Sequence, residues 1–123
     1  MSAYTQHHLL LNGKTISIAS IQQGEIVVDT EFEKATIQFI KNWLAGQQYF
    51  TLQTSGSTGI PKKIEVSRDQ LTASAQATIK ALSLQQNNSA LICLPTQYVA
   101  GVMMLVRCLI GNLSITAIEP QRN

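Results

Sequence analysis

With 123 residues and a hydrophobic share of 45%, the chain is large enough to bury the core of one domain but is short for an enzyme. Charged residues make up only 13% of it, the nine Lys and Arg are scattered, and the formal net charge is +2, a pattern that argues against nucleic-acid binding. We expect a cytoplasmic protein, because residues Met1 to His8 lack the apolar segment of a signal peptide and the longest apolar stretch, Val99 to Ile110, is too short for a bilayer.

A β-hairpin is the first predicted element. Leu9 to Leu11 and Lys14 to Ile21 are β-prone runs, and the Asn12-Gly13 pair between them is typical of a two-residue turn. Glu25 to Val28 is then predicted to form a further short strand.

The first long helix is predicted from about Glu31 to Ala45. Thr30 and Glu33 fit a capping box at its start, apolar residues recur at helical spacing, and Gly46 supplies a stop. Trp43 belongs to the apolar stripe and is interpreted as a core residue rather than as a platform for a ligand.

Two strands and a second helix are predicted next. Tyr49 to Leu52 and Ile64 to Val66 are strand-like runs on either side of a polar loop. Ser67 and Gln70 fit another capping box, which opens a helix from about Arg68 to Ser83. One face of this helix carries an apolar stripe of Leu71, Ala75, Ile79 and Leu82.

The last part of the chain indicates a βαβ unit. Ala90 to Leu94 is a near-continuous apolar run, as expected for a strand buried on both faces. Val99 to Ile110 is predicted to be a buried helix that Gly111 ends, and Leu113 to Ile118 is again strand-like. The predicted fold class is therefore α/β, with a mixed sheet, a parallel βαβ unit and flanking helices.

The cysteines and histidines do not form a metal-binding pattern. Cys93 and Cys108 lie in apolar runs without a close pair spacing, so we expect buried, reduced thiols rather than a disulfide. His7 and His8 are expected to be an exposed polar pair, since no third ligand is visible.

Between the two middle strands lies a loop that packing does not explain, Thr54-Ser55-Gly56-Ser57-Thr58-Gly59. Its two glycines can turn successive backbone amides toward one point, and its hydroxyls add donors for phosphate oxygens. Pro61 ends the loop abruptly at Lys62 and Lys63, which supply mobile positive charge. This composition predicts a polyphosphate-binding loop.

This loop has two competing interpretations. The Walker A motif is excluded, because it requires glycine directly before its lysine and a helix directly after it, whereas here Pro61 comes before Lys62 and a strand follows. A flexible hairpin turn remains open, because glycine, serine and threonine are common turn residues.

The run from Thr54 to Lys62 resembles the signature loop of the adenylate-forming superfamily, written T-S-G-S-T-G-x-P-K-G, with Lys63 in place of the final glycine. This superfamily includes acyl- and aryl-CoA ligases and the adenylation domains of peptide synthetases. The resemblance implies that Thr54, Ser55, Gly56, Ser57, Thr58, Gly59 and Lys62 hold the phosphates of ATP, and that Lys62 acts in catalysis.

A second segment, Leu94-Pro95-Thr96-Gln97-Tyr98-Val99-Ala100-Gly101, follows the predicted parallel strand, where ligands often bind in α/β sheets. It could be a tight connection in which Tyr98 only packs. It is also similar to the superfamily segment L-P-x-F-H-x-x-G, which lines the acyl pocket. That similarity implies that Tyr98, Ala100 and Gly101 contact the substrate.

Arg107 is unusual on an apolar helix. A buried guanidinium needs an acceptor, so it could form a salt bridge, reach past the helix end to water, or serve as a fork for a substrate carboxylate. The spacing from Gly101 to Arg107 resembles the o-succinylbenzoate-CoA ligases of menaquinone biosynthesis, in which the matching arginine helps to bind the substrate carboxylate.

The resemblance implies a ligase that uses ATP, Mg²⁺ and coenzyme A on a small carboxylic acid. Residues 1–48 would form a lead-in hairpin and helix, and residues 49–123 the phosphate loop and βαβ region. The later superfamily signatures, Y-G-x-T-E, T-G-D and a C-terminal lysine, are not found. We therefore expect an N-terminal fragment, inactive alone, with an apolar face that packs against the rest of its polypeptide or self-associates.

Overall fold

The computed structural model describes residues 8–24, 26–54, 60, 62–85 and 88–119. Within these ranges the chain forms six strands and four helices, in the order β1 (His8–Leu11), β2 (Lys14–Ser17), α1 (Ile18–Gln23), α2 (Glu31–Leu44), β3 (Tyr49–Thr54), β4 (Lys62–Ser67), α3 (Arg68–Ala81), β5 (Ser89–Ile92), α4 (Val99–Gly111) and β6 (Ser114–Ala117).

Four of the strands form a mixed sheet in the order β2-β1-β6-β5. Strands β1 and β2 are antiparallel, while β6 runs parallel to both β1 and β5. The predicted α/β class, with a parallel unit of β5, α4 and β6, is therefore confirmed. One face of the sheet is buried, because Leu9 pairs with Ile115 and Leu11 pairs with Ala117, and all four side chains are at most 2% exposed.

The opposite face of this sheet is open, which corrects the prediction that Ala90 to Leu94 is buried on both sides. Strand β5 lies at the edge of the sheet and pairs only with β6. Leu91 and Leu10 each pair with Thr116 of β6, one from either side, and their side chains are 55% and 39% exposed. The described residues leave this face uncovered, so apolar side chains that resemble those of a buried strand face outward here.

The N-terminal hairpin forms as predicted around Asn12-Gly13, but its second strand is shorter. It ends at Ser17, whose side chain accepts a hydrogen bond from the Ser20 amide and so caps the short helix α1. Gly24 ends that helix at a φ of +78°. The strand predicted from Glu25 to Val28 is also wrong, since residues 26–28 are irregular, with Val27 84% exposed, and Glu25 lies outside the described residues.

Helix α2 begins and ends close to the predicted positions, and Gly46 follows it at a φ of +89°. The Thr30 hydroxyl accepts from the Glu33 amide, as the capping-box prediction requires. The reciprocal bond is absent from the hydrogen bonds of the described residues. The Glu33 carboxylate instead accepts from the Asp29 amide at 3.3 Å.

Glu33 is the buried carboxylate that joins α2 to the hairpin. It is 3% exposed and accepts hydrogen bonds from Asn12 Nδ2 and Lys14 Nζ, each at 2.9 Å. The Asn12 amide, then the Lys14 ammonium, lower the pKa of Glu33 from 4.5 to about 2, against the opposing effect of burial. Lys14 also pairs with Asp29 at 2.6 Å. This network fixes the hairpin against the start of the helix.

Helices α3 and α4 pack on each other and against the strands. The capping box of Ser67 and Gln70 is complete, which confirms that prediction. Helix α3 ends at Ala81, two residues earlier than predicted, and Leu82 is 64% exposed rather than part of the buried stripe. Gly111, predicted to stop helix α4, is its last helical residue, and Asn112 caps the helix in the left-handed conformation.

The core between α2 and β3 is aromatic. The rings of Phe39, Trp43 and Phe50 pack together with centroids 5.1 to 6.1 Å apart, and Trp43 stacks on both phenylalanines. The Arg68 guanidinium lies 3.8 Å from the Trp43 ring centroid, which agrees with the prediction that Trp43 is structural.

The two cysteines differ in exposure. Both thiols are free, but Cys108 is buried while Cys93 is exposed, so the prediction of two buried thiols is wrong for Cys93. Cys93 lies just beyond edge strand β5, which explains its exposure. Burial raises the pKa of the Cys108 thiol to about 12.

Candidate functional site

The predicted phosphate loop is presented by an antiparallel hairpin of β3 and β4. The register runs from Tyr49 opposite Ser67 to Thr54 opposite Lys62, so the two strands close on each other where the loop begins and ends. This confirms the two predicted strands on either side of the loop residues. Ser55, Gly56, Ser57, Thr58, Gly59 and Pro61 lie outside the described residues, so the anion-binding arrangement of the loop stays a prediction.

The two residues at the base of the loop are accessible. Thr54 is partly buried, with its hydroxyl 3.5 Å from the Lys62 carbonyl. Lys62 and Lys63 are exposed, and neither forms an ion pair within 4 Å among the described residues. Both lysine side chains are therefore accessible beside the predicted phosphate loop.

The second predicted segment lies directly beside this hairpin. The Gln53 amide donates to the Gln97 carbonyl at 3.2 Å, and Gln53 forms a parallel bridge with Tyr98. Gln53 immediately precedes Thr54, so the turn before α4 contacts β3 at the residue before the loop. We call the pairing of Gln53 with Gln97 and Tyr98 the junction. The structure thus brings together two motifs that the sequence indicated separately.

The turn that leads into α4 is tightly constrained by Gly101. A Cβ atom at this position would lie 2.3 Å from the Pro95 carbonyl oxygen, closer than non-bonded atoms approach. The Tyr98 amide donates to the same oxygen at 3.3 Å. Glycine is therefore required here by packing, independently of any contact with a substrate.

Tyr98 and Ala100 stand at the first turn of α4, where the predicted acyl pocket would open. Tyr98 occupies the N-cap position and its side chain forms no capping hydrogen bond. It is partly buried, and Ala100 is exposed. Their predicted contacts with a substrate remain predictions.

Sequence reasoning missed a polar contact that supports this turn. Thr36 of α2 and Thr96 of the turn are both buried, and their hydroxyl oxygens are 2.8 Å apart. The two residues lie sixty positions apart, and Thr96 stands at the variable position of the L-P-x-F-H-x-x-G-like segment, so no local pattern could have indicated the pair.

A cleft of about 370 Å³ opens beside the junction, between α2, the exposed edge of β3 and the turn. Its lining includes Phe39, Phe50, Leu52 and Lys63. Its polar lining is rich in amide side chains, contributed by Gln38, Asn42, Gln47, Gln53 and Gln97. A larger groove of about 490 Å³ between α1 and α2 also reaches Gln97.

Arg107 lies away from the junction. It stands nine residues beyond Tyr98, about 13 Å along the helix axis, and lines a separate cavity of about 150 Å³ that is mostly apolar. Its Nη1 donates to Met104 Sδ at 3.7 Å, and its Nε is buried without a hydrogen-bond partner. No carboxylate of the described residues lies within 4 Å, so the salt-bridge interpretation is not supported there.

Comparison with known proteins finds partial matches to ligases. The chain is 33% identical over 85 residues to long-chain-fatty-acid–CoA ligase ACSBG2 of Homo sapiens, a match that covers 68% of this chain and 12% of that protein. It is 31% identical over 71 residues to D-alanine–D-alanyl carrier protein ligase of Listeria welshimeri, covering 58% of this chain and 14% of the relative. No protein-family model matches the chain.

The chain also resembles a crystal structure described as an acyl-CoA synthetase (AMP-forming)/AMP-acid ligase II-like protein from Dyadobacter fermentans. The TM-score is 0.75 at 43% sequence identity, over 80% of this chain and 28% of that one. These relatives indicate the family of AMP-forming acyl-CoA synthetases and AMP-acid ligases.

The chain spans only part of each of these relatives, between 12% and 28% of their lengths. Within the described residues there is no group of three or more His, Cys, Asp and Glu side chains that could hold a metal ion. His8 is exposed in β1, while His7 lies outside the described residues. None of the described helices is long and apolar enough to cross a membrane.

Proposed function

We propose that this chain forms the phosphate-binding part of an ATP-dependent carboxylate–CoA ligase. The observation that carries the proposal is the junction, because it sets the hairpin with the T-S-G-S-T-G loop beside the L-P turn of α4. A nucleotide phosphate held by the loop and a carboxylate held at the start of α4 would then be neighbours. The similarity to AMP-forming ligases supports the same reading.

The proposed reaction has two steps. The substrate carboxylate attacks the α-phosphorus of ATP, pyrophosphate leaves, and an acyl-adenylate forms. The thiol of coenzyme A then attacks the acyl carbon, a thioester forms, and AMP leaves. ATP and coenzyme A as substrates support a cytoplasmic location for the reaction.

In this chain, Lys62 and the loop amides of residues 54–59 would hold the β- and γ-phosphates and offset the charge on the departing pyrophosphate. Thr54 and Lys62 close the loop from opposite strands, which is where such contacts would be needed. Mg²⁺ bound to the nucleotide phosphates would supply further charge neutralisation there.

The remaining steps would need other parts of such a ligase. We propose that residues 1–48 form the lead-in hairpin and helix, that residues 49–123 form the phosphate loop and βαβ region, and that the chain alone is inactive. The open sheet face with Leu10 and Leu91 supports a surface that packs against further ligase structure or against a second copy.

For the substrate, we propose o-succinylbenzoate, with Arg107 as a bidentate partner for its second carboxylate. The support is a guanidinium whose Nε is buried without a partner beside a small cavity. A fatty acid or another acid is the alternative, in which case Arg107 needs no anion. A nucleotide-binding module without catalysis is a further alternative.

The test of phosphate binding is a calorimetric titration of ATP with Mg²⁺ into the wild-type chain, the Lys62→Ala variant and the Lys63→Ala variant. Loss of one charge-assisted contact should weaken binding by about tenfold or more for Lys62→Ala. The neighbouring Lys63→Ala variant removes the same charge and should change the affinity little. Equal losses in both would mean that only the net charge matters, and absence of binding in the wild type would remove the basis of the proposal for this chain.

A further inference from the structure

The buried hydroxyl pair of Thr36 and Thr96 has a defined direction. Thr36 Oγ1 donates to the Phe32 carbonyl at 2.8 Å, which uses its only proton. The 2.8 Å contact between the two hydroxyls is therefore a donation from Thr96 to Thr36. Both residues are at most 3% exposed, so neither hydroxyl can turn to water instead.

Stability alone does not account for hydroxyls at these two positions. Valine has nearly the same shape, and burying two hydroxyls gives little net stabilisation even when they are bonded to each other. A hydrogen bond does, however, have a direction, which apolar contacts lack. The pair can therefore fix how the turn sits on α2.

The turn connects the threonine pair with the base of the loop within a few residues. Thr96 is followed by Gln97, whose carbonyl accepts from the Gln53 amide at 3.2 Å. Gln53 is followed by Thr54, where the predicted phosphate loop begins. A path of two hydrogen bonds thus connects the buried part of α2 with the base of the loop.

We propose that Thr36 and Thr96 are positioning residues. Their hydrogen bond holds the turn before α4 in the position in which the Gln97 carbonyl accepts from the Gln53 amide of β3, next to the predicted phosphate loop. The significance for catalysis rests on the proposed function of the loop. The positioning of the turn does not depend on that function, because it can be measured without a nucleotide.

Amide hydrogen exchange measured by NMR on the whole chain tests the positioning directly. The Gln53 amide points at Gln97, so the preceding Leu52 amide points at β4, where Leu52 lies opposite Ile64. Leu52 therefore serves as an internal reference for global opening. Thr96→Val should raise the exchange rate of Gln53 about tenfold relative to Leu52, as expected for the loss of one hydrogen bond.

The double variant Thr36→Val, Thr96→Val separates positioning from stability. Replacing both hydroxyls by methyl groups should restore the unfolding midpoint toward that of the wild type, while Gln53 exchange stays fast. Wild-type protection of Gln53 in the double variant, or equal changes in Gln53 and Leu52, would overturn the proposal. Thr96→Ala serves the same purpose if the valine variants do not fold.

Thr78 provides the matched control. Its hydroxyl donates to the Ser74 carbonyl at 3.2 Å, the same local bond that Thr36 makes, but it has no hydroxyl partner on another described element. Thr78→Val should leave the ratio of Gln53 to Leu52 exchange unchanged. A change as large as that of Thr96→Val would refute the specific role of the pair.

Binding of ATP with Mg²⁺ then distinguishes this proposal from the proposed function. If the wild-type chain binds no ATP, the function of the loop fails while the exchange result still decides the positioning. If the wild type binds, the double variant should bind several-fold more weakly. Equal affinity would show that the turn does not position the loop.

Discussion

Neutralising Glu33 should remove a pH-dependent part of the stability of this fold. The carboxylate is buried and accepts from Asn12, Lys14 and the Asp29 amide. The fall of its pKa from 4.5 to about 2 corresponds to about 3 kcal/mol in favour of the charged, folded form, since one pKa unit is about 1.4 kcal/mol. Because the pKa is lower in the folded state, this stabilisation is present above about pH 4.5 and is lost as the pH falls toward 2.

Urea unfolding of the wild type and of Glu33→Gln, measured in steps from pH 7 to pH 2.5, tests this reasoning. The variant should be about 2 to 3 kcal/mol less stable at pH 7 and should lose less stability between pH 4.5 and 2.5. Glu31→Gln is the control, because Glu31 is exposed and its carboxylate lies 3.5 Å from Lys34. It should cost less than about 1 kcal/mol. The same pH slope in Glu33→Gln as in the wild type would refute the assignment.

Two further predictions concern the turn and the thiols. Gly101→Ala places a methyl group against the Pro95 carbonyl and should destabilise the chain by about 2 kcal/mol or more in thermal unfolding. Gly111→Ala, in the same helix, meets only flexible side chains and should change stability by less than about 1 kcal/mol. A thiol reagent should modify exposed Cys93 in the native chain, while buried Cys108 should react only after unfolding. Equal rates for both thiols would contradict the described burial.

Features that depend on neighbouring residues were predictable from the sequence. The hairpin turn at Asn12-Gly13, the capping box at Ser67 and the strands around the loop each involve groups a few positions apart. The parallel pairing of β5 and β6 followed from an apolar helix between two strand-like runs. Local chemistry and the final fold agree at these places.

The errors arise where tertiary context decides. The run after Ser17 is as apolar as a strand, yet a serine cap and Gly24 make it a helix. Strand β5 is as apolar as a buried strand, but its place at the sheet edge depends on which strands lie beside it. The contact between Thr36 and Thr96 exists only after α2 and the turn have packed together. The place of β5 in the sheet and the threonine contact are not encoded within a short window of residues, whereas the cap of α1 is local and was outweighed in the prediction by the β-prone run.

The position of Arg107 limits the size and shape of a substrate that can reach it more strongly than the chemistry of its guanidinium does. The loop base and Tyr98 meet at the junction, whereas Arg107 lies about 13 Å further along α4. A molecule that places one carboxylate beside the loop and a second on Arg107 must span what remains of that separation after the Arg107 side chain, which reaches back to Met104, has covered part of it. A monocarboxylic acid does not need to span this distance, but it leaves the buried Nε of Arg107 without a partner. A dicarboxylic substrate would give this Nε a partner, and it is the proposed substrate class that makes the most restrictive geometric claim.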